Sequence, residues 1–143
     1  RNKFNHDMQT FEQDPPSRLG VAAIDLNGLK QVNDHMGHRA GDGLICRTAN
    51  HIAGMFAGRG YRIGGDEFVV VDWELEEDAF RNAILTAKEN MEREGISVSI
   101  GISWRASHCS MEEQLEEADR QVYRAKAAFY SSQDTDRRKS GRQ

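Results

Sequence analysis

Tyr61-Arg62-Ile63-Gly64-Gly65-Asp66-Glu67-Phe68-Val69-Val70-Val71 is the stretch that decides how this chain folds. Two apolar runs joined by a Gly-Gly pair predict a β-hairpin, because glycine reaches the positive φ angles that a tight turn between twisted strands requires. The turn carries two adjacent carboxylates, Asp66 and Glu67. Acids held side by side repel, so they require solvent, a raised pKa or a cation. Turns favour acidic residues in any case, and the pair alone means no more than an exposed loop. A second acidic strand end upstream changes that reading.

Upstream, Leu19 to Asp25 is an apolar, β-rich run without alternation, which predicts a strand covered on both faces and ending at a carboxylate. Asn27-Gly28 breaks that strand. Leu29 to Met36 then leads through Gly37 to Asp42 into a helix with Ile45, Ala49, Ile52, Ala53 and Phe56 as its apolar stripe, closed by Gly58 and Gly60. Before the strand, Phe4, Met8 and Phe11 recur at helical spacing from about Lys3 to Gln13, and Asp14-Pro15-Pro16 stops that helix. Downstream of the hairpin, about Glu76 to Arg93 predicts a second amphipathic helix ending before Gly95. Ser97 to Trp104 alternates as a strand. Ser110 with Glu113 reads as a capping box that opens a final helix with Leu115, Ala118, Val122, Ala125 and Phe129 on one face. From Ser131 onward the residues are polar and unpatterned, which predicts a disordered tail over 131–143, Arg137-Arg138-Lys139 included.

Strand, helix, hairpin, helix, strand, helix is the order of an α/β (α+β) domain with a ferredoxin-like antiparallel sheet and flanking helices. In that arrangement the first strand lies beside the second arm of the hairpin. Asp25 then comes within a few ångströms of Asp66 and Glu67, and three carboxylates together prefer a divalent cation with oxygen ligands, Mg²⁺ above all if phosphates complete its shell. At 143 residues the chain is one domain. A net charge of −4 disfavours a nucleic-acid polymer as partner but not one nucleotide carrying its metal. Cys46 and Cys109 stand alone, as in a reducing compartment. No stretch has the length and apolarity of a membrane span. The expected location is the cytoplasm, as the cytoplasmic domain of a larger or membrane-anchored sensor protein. Asp25-Leu26-Asn27-Gly28 starts like a calcium loop but has its glycine too early and no closing Glu. His35, His38 and Cys46 lack the second soft ligand of a zinc site, and Gly37 to Gly43 lacks the Gly-Lys-Ser/Thr of a P-loop.

The segment Asp25-Leu26-Asn27-Gly28-Leu29-Lys30-Gln31-Val32-Asn33-Asp34, with Gly37-His38, Gly41-Asp42 and Gly64 to Phe68, resembles the GGDEF-domain family of diguanylate cyclases. Asp119, Tyr123, Ala125 and Lys126 fit the closing helix of that family. The resemblance implies a GGDEF domain over 1–130, its entry motif truncated at residue 1, with an architecture related to the nucleotidyl cyclases and polymerase palms. It implies condensation of two GTP into cyclic di-GMP and two pyrophosphates across a homodimer. By resemblance, Asp25, Asp66, Glu67 and the Leu26 carbonyl hold two Mg²⁺ or Mn²⁺ ions. Asp66 or Glu67 takes the proton from the attacking 3′-hydroxyl, the two roles being undivided. Asn33 and Asp42 read the guanine edge, whose N1–H and 2-amino donors a carboxylate can accept and which adenine does not offer. Lys30 and Lys126 neutralise the triphosphate, Gly64 and Gly65 let the backbone approach it, and His38 belongs to the substrate-binding set.

Two departures qualify what the resemblance implies. The Arg-x-x-Asp site through which many family members bind product is Met55 and Gly58 here, so product inhibition by that route is expected to be absent. The family's closing Gly-Arg-Asn, whose arginine touches phosphate, reads Phe129-Tyr130-Ser131. A slow cyclase and a catalytically silent GTP-binding or dimerisation module both fit that change.

Overall fold

Both faces of the run Leu19–Leu26 are apolar, and the fold covers both. In the computed structural model, which describes residues 2–140 and the side chains of 3–134, this run is the central strand β1. The other elements are helix α1 (Asn2–Gln13), α2 (Leu29–Met36), α3 (His38–Met55), strand β2 (Gly60–Arg62), β3 (Glu67–Asp72), α4 (Glu77–Arg93), β4 (Val98–Arg105) and α5 (Met111–Ser140). The sheet is antiparallel throughout, in the order β2-β3-β1-β4. That is the ferredoxin-like order expected from the sequence. Neighbouring residues of β1 go to opposite layers. Ala22, Ile24 and Leu26 join Phe80, Ile84, Ala87 and Met91 of α4 with Leu44 and Ile52 of α3, whereas Leu19 and Val21 face Phe4 of α1 and Met111 of α5.

The element boundaries follow local chemistry. Gly95 has φ 78°, and its N–H reaches Glu92 O while the Ile96 N–H reaches Met91 O at 2.9 Å, a Schellman stop that buries Ile96 beside Met91. The serine face of β4, expected only to alternate with the apolar one, is covered by α5 instead of solvent. Ser103 Oγ donates to Glu117 at 2.6 Å, Ser99 Oγ donates to Asn27 Oδ1 at 2.9 Å, and a Cβ on Gly101 would stand 1.9 Å from the Ala118 carbonyl.

Four expectations need correction. The hairpin turn does not use positive φ at Gly64 or Gly65; the described glycines in that region are Gly28, Gly37, Gly58 and Gly95. The turn is wider than two residues, with the Ile63 N–H donating to Glu67 O at 2.9 Å and the Arg62 guanidinium donating to the carbonyls of Gly64 and Gly65 at 3.1 and 3.0 Å, so a less contorted backbone suffices. The capping box is one-sided: Ser110 Oγ accepts from the Glu113 N–H at 3.2 Å, but the Glu113 carboxylate pairs with Arg105 and Gln114 takes the Ser110 N–H. Ala53 is exposed, and the buried stripe of α3 is Gly41, Leu44, Thr48 and Ile52. Finally, the backbone over 131–140 continues α5, where the sequence predicts a tail. That stretch contains no glycine or proline, and extending a nucleated helix is far easier than starting one. Residues 141–143 lie outside the described ones, as do the side chains of Arg137, Arg138 and Lys139.

Candidate active site

Antiparallel pairing places β1 and β3 so that Asp25 lies directly opposite Glu67. The Leu26 N–H donates to the Asp66 carbonyl at 2.9 Å, which fixes the hairpin turn against the end of β1. The three carboxylates converge as a result. Asp25, Asp66 and Glu67 each offer an oxygen, and these oxygens lie within 4.8 Å of one another.

Lys126, on the α5 face turned to β1, answers this charge. Its Nζ stands 3.4 Å from Asp25 Oδ2 and 3.5 Å from Asp66 Oδ2, and it donates to the Leu26 carbonyl at 3.1 Å. Burial alone disfavours the charged ammonium, but Asp25 and Asp66 outweigh it and hold Lys126 above its ordinary pKa. Asp25 moves the other way. Burial pushes its carboxyl up to about 6, the Lys126 ammonium opposes that rise, and the charges of Asp66 and Glu67 add to it. Asp25 Oδ1 is buried with no hydrogen-bond partner among the described residues. A single ammonium thus leaves the cluster undercompensated. An orphaned, buried carboxylate oxygen amid further hard oxygen donors fits a divalent cation of the Mg²⁺ or Mn²⁺ type.

A second group forms at the joint of α2 and α3. Asn33 packs against Gly41, next to the exposed Asp42, so the two residues expected to read a base share one end of the domain. Lys30 and His38 are exposed on the first turns of α2 and α3, and none of the described hydrogen bonds or ion pairs links Lys30, His38 or Asp42 to the three acids. Gly65 has nothing within 4 Å of where a Cβ would stand, and a Cβ on Gly64 would meet only the Glu67 side chain. Gly65 thus stands in open space and Gly64 lies close under Glu67, and neither uses a positive φ.

Sequence reasoning gave no role to two residues. Asp119 lines a small cleft with Asp25 and Glu67, and burial, followed by the Glu67 charge, raises its pKa. Tyr130 accepts a hydrogen bond from the Gly28 N–H at 3.3 Å, so two α5 residues one turn apart, Lys126 and Tyr130, tie down the two ends of the Leu26-Asn27-Gly28 loop. The spacing 119, 126, 130 along one helix face was the available signal.

Comparison with known proteins bears on the whole chain. The family model described as diguanylate cyclase, GGDEF domain, matches residues 1–131. Diguanylate cyclase DgcN of Escherichia coli is 29% identical over 140 residues, which cover 88% of this chain and 34% of that protein. The chain therefore spans about a third of the length of that relative. Among solved structures, a microbial GGDEF domain described as interacting with cyclic di-GMP aligns with a TM-score of 0.76 at 28% identity, covering 90% of this chain and 87% of that one. The GGDEF domain of DgcB from Caulobacter crescentus aligns with a TM-score of 0.79 at 22% identity, covering 90% and 85%, and supports the fold.

Proposed function

The chain belongs to the GGDEF family of diguanylate cyclases, and from that premise we propose that it condenses two GTP into cyclic di-GMP across a homodimer. The observation that carries the proposal is the convergence of Asp25, Asp66 and Glu67, in which one Asp25 oxygen is buried without a hydrogen-bond partner among the described residues. Asp25, Asp66, Glu67 and the Leu26 carbonyl would hold two Mg²⁺ or Mn²⁺ ions, which supply Lewis-acid stabilisation of the attacking and leaving oxygens when bound. Every other step belongs to the chain.

Lys126 is shared between acids and substrate. With the carboxylates otherwise compensated, its ammonium is free to turn to the triphosphate, while Lys30 adds charge from the solvent side. Asn33 and Asp42 select guanine. Gly64 and Gly65 leave clearance for the phosphates. A hairpin acid, Asp66 or Glu67, accepts the proton of the 3′-hydroxyl as that oxygen bonds to the α-phosphorus of the GTP on the facing copy, and the bond from that phosphorus to the bridging oxygen breaks to release pyrophosphate. The reciprocal attack closes the ring and releases a second pyrophosphate. Each copy carries one GTP and half of the geometry, so the dimer is part of the reaction. GTP as substrate implies a cytoplasmic setting, and among the described residues no helix is long and apolar enough to cross a membrane.

Tyr130 favours a second reading, a silent GTP-binding or dimerisation module, because its neutral hydroxyl stands where the family carries a phosphate-binding arginine. Incubation with GTP and Mg²⁺ at high protein concentration, followed by chromatography, separates the two. Cyclic di-GMP with two pyrophosphates per molecule supports the cyclase, and tight GTP binding without product supports the module.

A further inference from the structure

The joint between α2 and α3 contains a contact that no catalytic step uses. Gly37, at φ 89°, interrupts the helix, and two backbone bonds four residues apart span the break, from the Gly37 N–H to Asn33 O at 3.0 Å and from the Gly41 N–H to Gly37 O at 3.3 Å. The Asn33 amide descends onto Gly41, a buried position of α3. A Cβ there would lie 1.8 Å from Asn33 Oδ1, 2.8 Å from Cγ and 3.4 Å from Nδ2. Any side chain at 41 must therefore turn the Asn33 amide away or push α2 off α3. The other glycines inside α3, Gly43 and Gly54, have nothing within 4 Å of a Cβ, so the demand for clearance is specific to the Asn33 contact. Helix interiors disfavour glycine, so its presence at 41 has a reason other than helix stability.

We infer that Gly41 is a specificity-determining positioning residue: its missing side chain seats the Asn33 amide beside Asp42 in the orientation that reads guanine. This rests on the reading of Asn33 and Asp42 as the base site. The test measures binding of GTP and ATP analogues blocked by a methylene at the α–β bridge, with Mg²⁺, to the full chain. The wild type is expected to prefer guanine. Gly41→Ala lowers guanine affinity about tenfold, the equivalent of one hydrogen bond, and leaves adenine affinity unchanged because phosphate contacts are intact. In an Asn33→Ala background the same substitution costs nothing, since the three nearest atoms have gone.

Retention of full guanine preference by Gly41→Ala, or an equal loss in the Asn33→Ala background, overturns the inference while leaving the base site standing. Equal loss of both analogues with a lowered melting temperature also overturns it, the role then being structural. A wild type without guanine preference removes the base site and the inference together.

Discussion

Asp25 is the residue on which the proposed chemistry most depends. Its folded pKa of about 6 lies above the ordinary 3.8, so the folded chain holds that proton more tightly than the unfolded one. Ionising Asp25 without metal therefore costs stability, with the cost absent below about pH 4, growing as the pH climbs and complete above about pH 6. It amounts to roughly 3 kcal/mol at about 1.4 per pKa unit. Melting curves in chelator, taken across pH 4–7, are expected to show Asp25→Asn gaining on the wild type as pH rises, and Mg²⁺ with GTP to reverse the order at pH 7. Parallel curves for the two proteins would argue against the raised pKa. Asp66→Ala removes a proposed metal ligand and a candidate base together, and cyclic di-GMP formation should fall by at least about 10²–10³-fold, read by product chromatography. Tyr130→Arg returns a cation near the phosphates and should tighten GTP binding by about 1.5–3 kcal/mol, read by calorimetry; no change would show that the hydroxyl already serves.

At the scale of elements, α5 connects stability to the site. It lies so close on β4 that Gly101 has no room for a Cβ, and the same helix carries Lys126 to the acids. Gly101→Ala should therefore destabilise the fold by about 1–3 kcal/mol and also weaken GTP binding, because displacing α5 displaces Lys126. A variant with lowered stability but unaltered GTP affinity would separate the two effects. The sheet and the meeting of Asp25 with Glu67 were legible in the sequence, since an unalternating strand, a hairpin and a strand-ending acid leave few ways to pair. The position of the Lys126 ammonium was not. It depends on a contact 100 residues long in sequence, and periodicity locates only the face of the helix, not where a flexible side chain rests. The clearance at Gly41 was hidden likewise, because a glycine reads as a turn until its neighbours are known. Glu113, expected to complete a cap, was drawn off by Arg105, a partner brought near by β4.

On the proposed reaction, the molecule as a whole supplies half of the geometry. If two copies face each other as proposed, then at concentrations below dimerisation the rate should rise with the square of protein concentration; strict proportionality would contradict the dimer. Regulation by product is expected to be missing. Met55 and Gly58 offer neither charge, and the neighbouring Arg59 is engaged by Asp72 and by Glu74 at 2.6 Å while lying over the Trp73 ring at 4.6 Å. Excess cyclic di-GMP should leave the initial rate nearly unchanged, whereas strong non-competitive inhibition would point to a product site elsewhere. The most direct measurement is Mn²⁺ binding, followed by electron paramagnetic resonance, with the α–β methylene analogue of GTP present. Two ions per chain are predicted for the wild type, with both weakened in Asp25→Asn and in Asp66→Ala. Unaltered Mn²⁺ binding in those variants would contradict the account.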